Sequence, residues 1–438
     1  MKRLFSLILA RCLLLSLAAC ANGSGSGEGA QSTQNSKITL RVASRYGSDV
    51  PDENYYRQKV EEFNKTNKDG ITVQMDNIPT ESDYLNKLRT SFADGDTPNV
   101  FIEYGGSRTL DYVKSDALVN LKPYLDKDQT WYKSFKSQYW SELQYKGYDG
   151  TWGVPFKSYM VVVYYNKDIF KKQGLTVPKS FDDLLKICQK LKGAGIAPFQ
   201  VGEKDVFRLG HFHNCLVIKS LGTDAASKLA DRSLAYDSPE MKKTYQVISD
   251  MCKKGYFGND ILNTDYNTEK SAYASGKCAM HWDGSWYVSE IYGKDIYDKT
   301  GVFQFPYLNE QYQDQEQGGS SDMWFVSKLN KSQAEIDASV KFLKYITSEE
   351  YTAGNNEIAS VLYPINFTPT AKTPKNPLLD EIKSIQNKTK KFHTDLQNDD
   401  PDSHMLDTVR NALQGLAMGN SPDQCGKEIV NSIKQNAQ

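Results

Sequence analysis

Residues 282–286 read Trp-Asp-Gly-Ser-Trp, two indoles and a carboxylate within one short stretch. Indole faces stack on apolar surfaces, and ionised groups fix hydrogen bonds of defined direction. A solute with a C–H face and a rim of hydroxyls needs both. Trp282, Asp283 and Trp286 are therefore candidate ligand contacts, and Gly284 allows close approach. Four other stretches mix the same chemistries. Ser44-Arg45-Tyr46 offers Arg45 as a bidentate donor. Glu103-Tyr104-Gly105-Gly106-Ser107 offers Glu103 and Tyr104. Phe156 to Tyr159 offers Lys157 and Tyr159. Gly318 to Trp324 offers Ser321, Asp322 and Trp324. The last is glycine-rich but lacks the Gly-Lys-Ser/Thr ending of a phosphate loop. Each has a plainer reading: an Arg over a helix, a solvated loop, or a Trp packed in a core.

Other chemistries are less well served. His211 and His213 form an HxH pair, but no third ligand stands nearby, so no metal is expected. No cofactor motif is present. Tyr164-Tyr165 reads as buried packing.

The elements that must position these residues follow from periodicity. Ile38 to Ala43 alternates as a strand, Tyr55 to Asn67 has helical spacing, and Ile71 to Met75 is a second strand. Tyr84 to Phe92 is a second helix and Val100-Phe101-Ile102 a third, wholly apolar strand. This βαβαβ alternation predicts an α/β fold with a mainly parallel sheet. Thr151 to Phe156 and Met160 to Tyr165 read as two further strands after an Asp-Gly turn. Ser180 precedes a helix over 181–191, with Asp182 and Asp183 favouring its N-terminus. Residues 278–280 predict a short strand, which leaves 282–286 in a loop. Met323 to Val326 predicts another strand, and 334–347, 406–418 and 429–433 predict helices.

The first residues have a different logic. Lys2 and Arg3 precede Leu4 to Leu17, apolar except for Ser6, Arg11, Cys12 and Ser16. The run is shorter than the about 20 residues of a spanning helix and suits a secretory signal. Leu17-Ala18-Ala19-Cys20 then matches a bacterial lipobox, in which the Cys20 thiol is acylated after cleavage. The expectation is a signal peptide over 1–19 and a lipidated Cys20. Residues 20–36 form a flexible Gly/Ser tether. That arrangement places the protein on the extracellular face of the cell membrane, held only by lipid, in a Gram-positive type of bacterium.

The body from residue 37 exceeds the about 250–300 residues at which one core stops growing, so two lobes are expected. Fifty-three basic residues against 54 acidic ones give a net charge of −1. No basic block offers a footprint for nucleic acid. Cys188, Cys215, Cys252, Cys278 and Cys425 are an odd, scattered set rather than a disulfide framework.

Several stretches, in order, resemble one family. These are Thr97-Pro98-Asn99-Val100-Phe101, Gly153-Val154-Pro155 with Tyr164 to Phe170, and Pro178 to Leu184. Ser275 to Met280 with Gly284-Ser285-Trp286, and Phe342 to Ser348, complete the set. Together they resemble the extracellular solute-binding proteins of carbohydrate ABC importers, the group that includes maltose-binding protein. The resemblance implies a type II, hinged two-lobe fold with a central cleft. The first lobe would take 37–155 and 320–365, the second 156–319 and 366–438. It implies a monomer that is not an enzyme, captures a sugar and delivers it to permease subunits. Trp286 matches the family's stacking tryptophan. Tyr159 stands where maltose-binding protein has a cleft glutamate, which argues against maltodextrin. Two rivals remain open: a binding protein for a non-sugar solute, and a secreted glycoside hydrolase. The hydrolase would need two facing carboxyls about 5–5.5 Å or 6.5–9.5 Å apart, with Glu103 and Asp283 as the conceivable pair.

Overall fold

Leu40 and Val42 alternate with the more exposed Thr39 and Arg41, and this half-buried pattern makes the first strand of the computed structural model, which describes residues 37–359 and 361–436. The expected signal peptide, Cys20 and tether lie outside the described residues. The strands are β1 (Ile38–Ser44), β2 (Ile71–Asn77), β3 (Val100–Glu103), β4 (Gly153–Asn166), β5 (Met280–Gly284), β6 (Thr300–Gln304), β7 (Gln315–Val326) and β8 (Lys391–His393).

β2, β1 and β3 pair in parallel through the helices Pro51–Thr66 and Glu81–Asp94, as the βαβαβ pattern predicts. β7 then pairs antiparallel with β3, and β4 antiparallel with β7. Beyond that point the mainly parallel expectation fails. β5 and β6 both pair antiparallel with β4, so the second half of the sheet is antiparallel. β8 adds a short parallel strand at Gln315–Gln317.

β4 corrects a second expectation. Residues 151–156 and 160–165 are not two strands. One 14-residue strand runs from Gly153 to Asn166. Its register slips between Pro155, Lys157 and Ser158, which bends the strand without ending it. Its first part pairs with β7 and its last part with β5 and β6, so it passes from one core into another.

Two cores flank that passage. One gathers Leu40, Val42, Val60, Phe101, Val154, Phe156, Trp324, Phe342 and Ile365. The other gathers Val161, Val163, Leu184, Phe212, Tyr245, Trp282, Phe303 and Leu413. The back of the second is sealed by Met160, Val162 and Tyr164 with Tyr287 and Ile382. Alternation explains this last division: from Tyr159 onward along β4, odd residues face the second core and even residues the cluster behind it. The buried valines are the expected apolar run, a strand rather than a span. Among the described residues no helix is long and apolar enough to cross a membrane.

Local rules close the helices. Ser180 accepts from the Asp183 amide at 3.2 Å while Asp183 accepts from the Ser180 amide, a capping box for the helix Phe181–Gly193. Losing such a cap costs about 1 kcal/mol. Ser332 and Glu335 repeat it for Gln333–Ile346.

Candidate functional site

Ser44 ends β1, and the chain turns so that Arg45 and Tyr46 reach Asp322 on β7. The Arg45 guanidinium donates to one oxygen of Asp322 and to the Tyr104 hydroxyl. The Tyr46 hydroxyl donates to the other oxygen at 2.6 Å. Lys157, at the slip in β4, donates to Asp52 at 2.6 Å and stands 3.9 Å from Asp322, its ammonium 4.0 Å from the Tyr46 ring centre. Burial opposes ionisation of Asp322, but Arg45 and Lys157 outweigh it and hold the carboxyl below its usual range. Burial likewise opposes the charge on Lys157, and Asp52 and Asp322 keep it protonated. Tyr104 is held between two guanidiniums, Arg45 at 4.4 Å and Arg108 at 5.0 Å. This is the first wall of a seam between the cores.

The second wall is built on β5 and the helices beside it. Trp286 is half-buried and its ring lies 5.4 Å from that of Tyr159, the β4 residue two past Lys157. Its indole N–H donates to the Tyr266 hydroxyl at 2.9 Å, and Tyr266 donates to Asp283 at 2.6 Å. Tyr266 also meets Phe207 edge-on at 5.2 Å, and His211 lies 6.5 Å from Trp286. Asp395 accepts from Asn214 at 2.6 Å and from Arg410 at 3.1 Å. Burial resists its charge, yet the guanidiniums of Arg410 and Arg108 hold its carboxyl below the usual range. Arg108 belongs to the first wall, so the two walls sense each other. Burial pushes the His211 imidazole down to about 4, leaving it neutral at pH 7.

Glycines let the walls approach. A Cβ on Gly319, whose φ is 147°, would meet Glu142 and Thr394 at 2.8 and 2.5 Å. Burial there pushes the Glu142 carboxyl up to about 7.

The structure brings Arg45, Tyr104, Lys157, Tyr159, Asp322 and Trp286 to this seam. Ser321 is half-buried on β7 beside Asp322. Four expected contacts move elsewhere. Trp282 is not in a loop, because β5 continues through Gly284 and pairs Trp282 with Val163. Period-two alternation then puts Trp282 on the Met280 face, wholly buried against Phe199, Phe212 and Phe257 at 4.7–5.4 Å. Trp324 is equally buried, stacked 5.7 Å from Tyr56. Glu103 is buried at the end of β3 and accepts from the Tyr104 amide at 2.8 Å. Asp283 stands one step behind the surface, fully buried under Tyr266. Engaged there with Tyr266 and with His281 at 3.0 Å, it cannot face a scissile bond together with Glu103.

His213 of the HxH pair is buried against Thr244 at 2.9 Å and Tyr245. Among the described residues no His, Cys, Asp or Glu cluster could hold a metal ion. Sequence reasoning missed Asp52, Arg108, Glu142, Phe207, Tyr266, Asp395 and Arg410. Beside Phe207, Val206 takes φ 59°, a conformation costly for a branched side chain. That strain shows only in the backbone.

The wall offers aromatic faces beside paired donors and acceptors, with carboxylates matched by cations. Such a surface suits a neutral, hydroxyl-rich solute. Similar proteins bind polyols and sugars, one of them phosphorylated by its name. The chain is 26% identical over 300 residues to the multiple sugar-binding protein of Streptococcus mutans serotype c, spanning 66% of this chain and 67% of the relative. It is 24% identical over 325 residues to the sn-glycerol-3-phosphate-binding periplasmic protein UgpB of Brucella melitensis biotype 1, with 72% of each covered. A solved chitin oligosaccharide binding protein superposes with a TM-score of 0.80 at 22% identity, covering 91% of this chain and 98% of that one. The family model described as bacterial extracellular solute-binding protein matches residues 47–353. With more than half its length inside that match, the chain belongs to the bacterial extracellular solute-binding protein family.

Proposed function

We propose that the protein captures a neutral sugar or short oligosaccharide in the seam between its cores and delivers it to the permease of an ABC importer. One observation carries the reading: Trp286 and Tyr159 present adjacent rings 5.4 Å apart, with the Arg45–Asp322 pair on the first wall. A sugar ring would stack on the indole while its hydroxyls meet the charged groups. The lobes would be 37–155 with 320–365, and 156–319 with 366–438. Cys20, acylated, would tether the body to the outer face of the membrane as a monomer. No chemistry on the ligand is proposed, since Asp283 and Glu103 are both engaged inside the protein.

The test is calorimetry with galactose, raffinose, xylobiose, chitobiose, spermidine and sn-glycerol 3-phosphate. The phosphate is included because Arg108 rests its charge on the face of Tyr104. Saturable binding of one of the sugars, with no cleavage products, is expected. Binding of the amine or phosphate alone, or turnover of any sugar, would overturn the reading.

A further inference from the structure

Behind Trp286 lies a buried chain of polar groups that the sugar site does not itself use. Trp286 can only donate, so the Tyr266 oxygen accepts from it and the Tyr266 proton must point to Asp283. Asp283 accepts on its other oxygen from the Gly284 amide at 2.8 Å. His281, two residues earlier on β5, sets Nε2 3.0 Å from Asp283 and Nδ1 3.2 Å from Glu269. Glu269 in turn accepts from Arg208 at 2.7–3.1 Å and from the Gly202 amide at 2.8 Å. Arg208, Glu269 and Asp283 are fully buried and His281 nearly so.

Both ring nitrogens of His281 therefore face carboxylates, and a neutral imidazole could satisfy only one of them. With His281 charged, two cations balance two anions, and the quartet is neutral. Without that proton the protein would bury a net negative charge, which is costly. The other groups against the imidazole are the phenols of Tyr287 at 4.6 Å, Tyr273 at 5.8 Å and Tyr164 at 6.3 Å. We propose that His281, standing as an imidazolium between Glu269 and Asp283, positions the Trp286 indole through Asp283 and Tyr266. The inference rests on Trp286 being a ligand-facing ring, as proposed above. Burial works against the His281 charge, but its two carboxylate partners raise its proton affinity above the ordinary value. The effect is therefore fully present below the unfolded value of about 6.5 and lost as pH rises through the folded value.

The test reads nitrogen-15 signals of the full chain without ligand. At pH 6.5 both His281 ring nitrogens should carry protons. The Trp286 indole signal, identified by its loss in W286F, should shift in Y266F and in H281Q. In the wild type, with rising pH, it should move only as His281 loses its proton; in H281Q it should stay fixed. A neutral His281 at pH 6.5, or an indole signal indifferent to Y266F, would overturn the inference. If H281Q does not fold, Y266F and the wild-type ring state decide. Affinity for the tightest sugar of the panel should fall about three- to tenfold in Y266F. A wild type that binds none of those sugars would count against the sugar reading and leave the spectroscopic result standing.

Discussion

The ring of Trp286 lies 5.4 Å from that of Tyr159 at an angle of 44°, a tilted pair joining β4 to the turn after β5. Aromatic surface of this kind supplies much of the energy in a binding site. Trp286→Ala should weaken sugar binding by about 1–3 kcal/mol. The fold should survive, because Trp286 is only half-buried. Titration calorimetry beside a thermal melt checks both halves.

Gly284 gives an independent handle on the same ring. A Cβ there would come within 2.1–2.3 Å of three Trp286 ring carbons. Gly284→Ala should push the indole aside and weaken binding in the same direction as W286A. Equal affinity of G284A and wild type by calorimetry would argue against indole stacking.

Trp282 should behave in the opposite sense. It fills the second core, so Trp282→Ala should cost about 3–5 kcal/mol of stability. Urea unfolding measures this directly. A fully stable W282A with lost sugar binding would return Trp282 to the site.

Asp322 holds Arg45, Tyr46 and Lys157 at once. Asp322→Asn takes from the buried Arg45 its direct carboxylate partner and should cost about 3–5 kcal/mol at pH 7. The folded-state affinity of Asp322 for protons is depressed. Its contribution is thus present above the unfolded value of about 3.9 and lost as pH falls through the folded one. The gap between D322N and wild type should narrow below pH 4 in acid-unfolding curves.

Glu142 has the reverse sign. Its carboxyl is pushed up to about 7 by burial beside Gly319 and Thr394. The folded state is therefore favoured below the unfolded value of about 4.3, and this advantage is lost as pH rises through about 7. Glu142→Gln should raise Tm at pH 8 and leave it unchanged at pH 4, measured by differential scanning calorimetry.

Much of the scaffold was legible in local pattern. Alternation marked β1 and β2, and Ser180 with Asp183 marked a helix start. The second half of the sheet was not legible, because antiparallel pairing of β5 and β6 on β4 depends on partners over a hundred residues away. The same distance misplaced Trp282: where a strand stops is set by its neighbour, and β4 carries β5 on to Gly284, four residues past the expected end at Met280. Arg45, Lys157 and Asp322 were legible as charged residues beside aromatic ones. Tyr266 and Asp395 were not, since only the fold brings them to Asp283 and Asn214.

β4 and β7 both run unbroken between the cores, side by side. Two adjacent straps of this kind act as a pair of door pins: they leave one easy axis of swing and resist sliding or twisting. The weakest point of one pin is the slip at Pro155, Lys157 and Ser158, and Lys157 and Tyr159 sit at that point. Were one half to swing against the other, the load would fall first on Lys157 and Tyr159, the side chains proposed above to meet the ligand, so that holding a guest would be coupled to turning the hinge.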